Sequence, residues 1–317
     1  MKKRIISVLL ATVFALSVIG CGTKDTKEQD AYRQYGITCM ESGKYEDAVK
    51  AFQNALGESI GHIGEKELDI CFYKAKAQAL GGKTKDALAT YDAIIKYNKD
   101  ARAYYLRGDL YMDMGEEKKG KADFESAVQH GKKNYEIYIG IYESLSRHEK
   151  KDEGQKYLSA AMEIKGDKPE DELYKGRISY LLGENKDAIS YLEKAKEHKQ
   201  MLASYYLGLA YDANGDSDKA KKCIAEYIKS GVATSYDLYE LGMQEMQDGN
   251  YKNALTYFNS GLELEKVPNK QNLMKSAIAA YEYSGDFDSA KKMMKEYLKA
   301  YPDDEEAKHE NTFLETR

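Results

Sequence analysis

At 317 residues, with 42% apolar and 32% charged residues, the chain has enough apolar surface for a folded body, which excludes a disordered or collagen-like polymer. The formal net charge of -5, with both signs mixed along the whole length, excludes a basic stripe that could track nucleic-acid phosphates. The 28 Tyr against 7 Phe and no Trp suit surfaces that are half buried and half wet.

The chain opens on a positive stretch, Met1-Lys2-Lys3-Arg4, followed by an apolar run from Ile5 to Ile19. That layout predicts a secretory signal over residues 1–20, and its removal would take three positive charges from the mature chain. The run is short for a transmembrane helix, which needs about 20 apolar residues. Ser17-Val18-Ile19-Gly20-Cys21 resembles the lipobox of bacterial lipoproteins. The resemblance implies a diacylglycerol on the Cys21 thiol, cleavage before it, and a protein held at the extracytoplasmic face of a bacterial cell membrane. Two or more acyl chains anchor stably where one binds only marginally. Residues 21–29, with Lys24, Asp25, Lys27 and Glu28, lack an apolar period and read as the lipidated cysteine and a polar tether.

Beyond the tether, glycines recur at Gly43, Gly82, Gly115, Gly183, Gly215, Gly249 and Gly285, at steps close to multiples of about 34 residues. Five residues after each comes a small residue (Ala48, Ala87, Gly120, Ala188, Ala220, Ala254, Ala290), and four later a large one (Phe52, Tyr91, Phe124, Leu192, Ile224, Phe258, Met294). One copy carries Glu149 for the glycine and continues with Gly154 and Leu158. Seven residues upstream of each turn stands another small residue, Gly36, Ala75, Gly108, Gly176, Gly208 or Gly242, with Tyr142 and Ile278 as exceptions. The turn glycine fits a helix C′ position in the left-handed region. Asp216, Asn250 and Asp286 directly after it are placed to cap the next helix. The small residues let two antiparallel helices approach closely, and the large residue fills space toward the neighbouring unit.

This spacing resembles the tetratricopeptide repeat, and Tyr104, Leu106-Arg107-Gly108, Tyr111, Gly120, Phe124 and Ala127 form the cleanest copy. The resemblance implies an all-α, right-handed superhelical solenoid of about eight helix pairs over residues 30–302, with units starting near 29, 68, 101, 135, 169, 201, 235 and 271. Helix pairs of this size must stack to bury their apolar faces, and the charged segment 303–317 fits a C-terminal capping helix. No unit has the family's early Trp, and only Pro302 sits at its closing Pro position. Residues 57–67 form an insertion between the first two units.

Catalytic and cofactor motifs are absent from the sequence. Gly82-Lys83-Thr84 ends like a phosphate loop but has Ala77 where the first glycine belongs, so no nucleotide is expected. Asp212 to Asp218 imitates a calcium loop, yet the bidentate position is Cys223. His62, His130, His148, His198 and His309 lack the i, i+4 spacing that aims two imidazoles at one metal, and read as surface residues. No metal or other cofactor is expected. Cys39 and Cys71 fit either buried free thiols or a bridge. The chain is expected to be a binding protein, not an enzyme.

In the resembled family, the first helices of successive units line a concave groove that binds a protein or peptide. Carried onto this chain, the groove positions give a mixed set in the N-terminal half, including Arg33, Phe72, Lys76, Arg102, Tyr105, Asp109, Asp113, Glu136 and Glu143. They become tyrosine- and methionine-rich from the fifth unit, with Arg177, Tyr180, Tyr205, Tyr236, Tyr239, Met243, Met246 and Tyr283. Tyrosine offers area at low entropy cost and methionine adapts to irregular shapes, so this strip is the candidate partner site. It competes with a reading in which the same residues pack between helices. The expected function is a membrane-anchored scaffold or adaptor. The alternatives are an accessory or structural factor in envelope assembly without a peptide ligand, or a helical wall-processing enzyme.

Overall fold

The computed structural model describes residues 24–59, 63–166 and 168–316. The expected leader, Cys21, and Ile60, Gly61 and His62 of the insertion lie outside the described residues. Contacts divide the chain into two compact units, with Cys21–Val232 in one and Ala233–Arg317 in the other. Among the described residues all regular structure is helical, and none of the helices is long and apolar enough to cross a membrane.

The unit up to Val232 holds six helix pairs: α1 (Lys24–Glu41) with α2 (Tyr45–Gly57), α3 (Glu65–Leu80) with α4 (Thr84–Asn98), α5 (Ala101–Asp113) with α6 (Glu117–His130), α7 (Tyr135–Arg147) with α8 (Lys151–Met162), α9 (Pro169–Leu182) with α10 (Asn185–Glu197), and α11 (Leu202–Ala213) with α12 (Ser217–Lys229). The unit from Ala233 holds α13 (Ser235–Gln247) with α14 (Tyr251–Leu262), α15 (Lys270–Ser284) with α16 (Phe287–Ala300), and α17 (Glu305–Glu315). The buried clusters join neighbouring pairs, and most draw on one pair and the first helix of the next. Cys39, Phe52 and Ile70 share one cluster, and Phe124, Ile137 and Leu145 another. In the second unit α17 closes the stack, burying Ala307 and Leu314 against Met274, Met294 and Tyr297. Core made of nearest-neighbour contacts is what defines a helical solenoid.

The turns follow one plan. Gly43, Gly82, Gly115, Gly183, Gly215, Gly249 and Gly285 all take positive φ, and the N–H of the following residue reaches back to the fifth carbonyl before it, as Lys44 N–H does to Cys39 C=O at 2.8 Å. This Schellman closure satisfies the carbonyls that the helix end leaves open. Glu149 holds the same conformation at φ 62°, and Lys150 N–H still reaches Leu145 C=O at 2.8 Å. Asp216 and Asp286 cap the next helix, accepting from the N–H groups of Lys219 and Ser289, whereas the Asn250 side chain makes no such bond.

The small-and-large register places each large residue over the small residue of its own pair. A Cβ at Gly36 would stand 2.6 Å from the Phe52 ring, and one at Gly176 would stand 2.5 Å from Leu192. Contact toward the neighbouring unit is made by the same side chain, since Phe52 also stacks on Tyr73 of α3 at 5.7 Å. Where α7 carries Tyr142 in place of the small residue, Gly154 of α8 supplies the space, with a would-be Cβ 3.0 Å from the Tyr142 ring.

The polar tether is shorter than the sequence suggests. Lys24 to Gln29 already belong to α1, because Gln29 is buried and its amide donates to Ser59 Oγ at 3.1 Å and Glu67 Oε1 at 2.9 Å. Glu67 also accepts from Ser59 Oγ at 2.6 Å and Gly64 N–H at 2.8 Å. The described flanks of the insertion are thereby tied to the start of α3. Cys39, Cys71 and Cys223 are free thiols.

Candidate functional site

In the unit up to Val232, the first helices of successive pairs are joined by arginines. Arg33 of α1 reaches Asp69 of α3, with Nε 2.8 Å from Oδ2. Arg102 of α5 lies over the Phe72 ring of α3 at 4.3 Å, Arg147 of α7 pairs with Asp109 of α5, and Arg177 of α9 bridges Glu136 at 3.3 Å and Glu143 at 3.0 Å on α7. Arg177 also sits 5.4 Å from the Tyr206 ring of α11. The planar guanidinium stacks on rings and forks onto carboxylates, which a lysine does poorly.

These contacts give the mixed N-terminal set a structural occupation. Glu136 and Glu143 keep 41% of their side-chain surface and share one guanidinium that is 13% exposed. Burial nevertheless pushes the Glu143 carboxyl up, against the pull of Arg177. Burial likewise pushes Asp109 up against Arg147, and lowers the Lys76 ammonium.

The nine candidate partner-binding residues divide between the two units. Tyr105, Arg177, Tyr180 and Tyr205 belong to the first, and each is engaged with its neighbours. The Tyr105 ring fills the notch at Gly140 of α7, where a Cβ would stand 2.6 Å from it, and tilts against Phe124 at 6.2 Å. Burial raises the phenols of Tyr105 and Tyr180. Tyr205 meets Tyr206 edge-on at 5.1 Å and Tyr227 at 5.3 Å.

In the second unit, Tyr239, Met243 and Met246 come together, partly buried against Ala254, Phe258, Leu273 and Ala277. Tyr239 tilts on Phe258 at 6.2 Å, Ser276 Oγ donates to Met243 Sδ at 3.6 Å, and Tyr236 is half buried on the same helix. Tyr283 stands elsewhere, 68% exposed at the end of α15. It stacks on Tyr251 at 5.4 Å and lines an open cleft of about 440 Å³ with Gly249, Asn250, Lys252, Asn253 and Ser284.

Sequence reasoning missed Arg147, although it holds in the unit from 135 the same place that Asp113 holds in the unit from 101. It also missed His148, which is half buried beside Asp113, with Nε2 3.1 Å from Oδ1. His130, His198 and His309 are exposed, and His130 stacks on Tyr104 at 5.4 Å. The mock calcium loop is a capped turn, with Gly215 at φ 84°.

Tetratricopeptide repeat family models match residues 36–95, 101–129, 202–230 and 271–304. The stretch between 129 and 202, where Tyr142 and Glu149 break the pattern, is unmatched. No curated protein matches the sequence. Among solved structures, the chain is similar to a tetratricopeptide repeat protein from Parabacteroides merdae ATCC 43184, with 12% identity, coverage of 80% of this chain and 99% of that one, and a TM-score of 0.47. It is similar to a chain of the APC/C hetero-tetramer Cut9-Hcn1, with 15% identity, coverage of 92% and 57%, and a TM-score of 0.45. It is also similar to PilW, a widely conserved type IV pilus biogenesis factor, with 18% identity, coverage of 66% and 97%, and a TM-score of 0.44.

Proposed function

This chain is a tetratricopeptide repeat protein, and from that premise we propose that it is a lipid-anchored scaffold whose α13 face receives a segment of a partner protein. Tetratricopeptide repeats typically serve as non-catalytic interaction scaffolds, and what supports the site is the α13 face itself. Tyr236, Tyr239, Met243 and Met246 follow at i, i+3, i+7 and i+10, each half buried and half accessible, and the apolar bodies of Tyr239, Met243 and Met246 are held by α14 and α15. Tyrosine and methionine in that state offer contact area with little ordering cost. The Tyr105, Arg177, Tyr180 and Tyr205 positions serve the array by joining its helices.

The anchor rests on Ser17 to Cys21 alone. Membrane fractionation of the full chain tests it: Cys21→Ser should move the protein to the soluble fraction, and unchanged membrane association would end the lipoprotein reading. For the binding face, crosslinking in native membranes should capture a partner, and Tyr239→Ala with Met243→Ala should cut the yield severalfold. Undiminished capture by a folded double variant would show that α13 is not the site. Absence of any captured protein would favour an envelope factor without a peptide ligand.

A further inference from the structure

Asp109 and Asp113 are one turn apart on α5, and His148 caps the end of α7 beside them. One ligand atom from each of the three lies within 4.8 Å of the other two. A tetrahedral zinc with donors about 2.0–2.2 Å away holds them about 3.3–3.6 Å apart, so shifts of about an ångström or less would close the set. We propose that Asp109, Asp113 and His148 form a binding site for a first-row divalent cation of the zinc class.

Two further observations point to a cation. Ser144 of α7, wholly buried, turns its hydroxyl toward Asp109, yet no group stands where a full hydrogen bond would satisfy it. Arg147 engages Asp109 through Oδ1, leaving Oδ2 for a metal, and it orients the carboxylate as outer groups do around established sites. A single imidazole among carboxylates favours zinc or its neighbours over magnesium or calcium, which take oxygen alone. The site joins α5 to α7 at the step where Arg147 already does, so occupancy should stiffen that part of the array.

The test is calorimetric titration of the EDTA-stripped full chain, made without a polyhistidine tag, with zinc chloride and in parallel with magnesium chloride. One zinc per chain is expected, with affinity reduced at least about tenfold in His148→Ala and in Asp113→Asn, and no comparable magnesium binding. Both variants change accessible side chains, and thermal melts in EDTA should match wild type, separating loss of metal from loss of fold. Failure of wild type to bind zinc, or zinc binding that survives both substitutions unchanged, would overturn the site. A magnesium affinity equal to that of zinc and indifferent to His148 would overturn it too.

Discussion

Gly242 on α13 lies under the ring of Phe258 on α14, so closely that a Cβ at 242 would stand 2.2 Å from the ring. Gly242→Ala therefore forces the ring or the helix pair apart, and overpacking of this kind costs about 1–3 kcal/mol. The gain in helix propensity returns only about 0.5–1 kcal/mol. Urea unfolding followed by far-UV circular dichroism should show a net loss for Gly242→Ala. Gly57→Ala is the control, since no heavy atom lies within 4 Å of its would-be Cβ and its φ is ordinary. It should be neutral or stabilising, and a Gly242 variant as stable as the control would contradict the close approach.

The turn at Glu149 carries a cost that the seven glycine turns avoid. A side chain in the left-handed region costs about 1–2 kcal/mol relative to glycine, and Glu149 sits there at φ 62°. Glu149→Gly should raise stability by about 1 kcal/mol in the same denaturant assay. Gly215→Ala should lower it by a similar amount despite open space around its Cβ, because the strain at φ 84° is conformational and not steric contact. Equal midpoints for all three proteins would rule this out.

The difference between these positions and the arginine contacts explains what could be read from the residues alone. Turn glycines and the Gly36–Phe52 kind of pairing arise within one hairpin, where spacing in sequence determines spacing in space. Tyr105 and Arg147 depend on which first helices lie side by side and how each is rotated. The notch for Tyr105 is Gly140, 35 residues on, and the partner of Arg147 is Asp109, 38 residues back. Both separations lie near the repeat length, a signal visible only if one asks which residues one repeat apart could touch. Asn250 shows the opposite limit. Its residue type suits a cap and its backbone resembles that of Asp286, yet its side chain forms none.

Glu67 makes the start of the array sensitive to acid. Burial opposes its ionisation, but donors from Ser59, Gln29 and Gly64 outweigh that and hold the carboxyl at about 2. A depressed carboxyl stabilises fully above its unfolded value of about 4.3, and the contribution falls as pH drops through that value toward about 2. Because the side chain is partly exposed, solvent screening reduces the contribution to about 1 kcal/mol. Stability measured at pH 6 and pH 3 should differ less in Glu67→Gln than in wild type, roughly by that amount. The amide N–H of Gly64 should exchange faster in the variant at neutral pH. An identical pH dependence in both proteins would refute the assignment.

Arg177 tests whether the central ladder is structure or ligand site. Removing it by Arg177→Met leaves Glu136 and Glu143 facing each other without their shared counter-charge. Breaking a fully buried pair costs about 3–5 kcal/mol, and the partial exposure of both glutamates reduces the expected loss to about 2 kcal/mol. Neutralising one acid should repair part of this, so Glu143→Gln in the Arg177→Met background should recover about half of the loss, whereas Glu143→Gln alone should be mildly destabilising. A double-mutant cycle in urea measures the coupling directly. If Arg177 instead waits for an acidic partner, its single variant will keep wild-type stability while capture of the crosslinked protein falls. The bidentate contact to α7 and the ring contact to Tyr206 predict the reverse: stability falls first, and capture at the α13 face survives wherever the folded state is still populated.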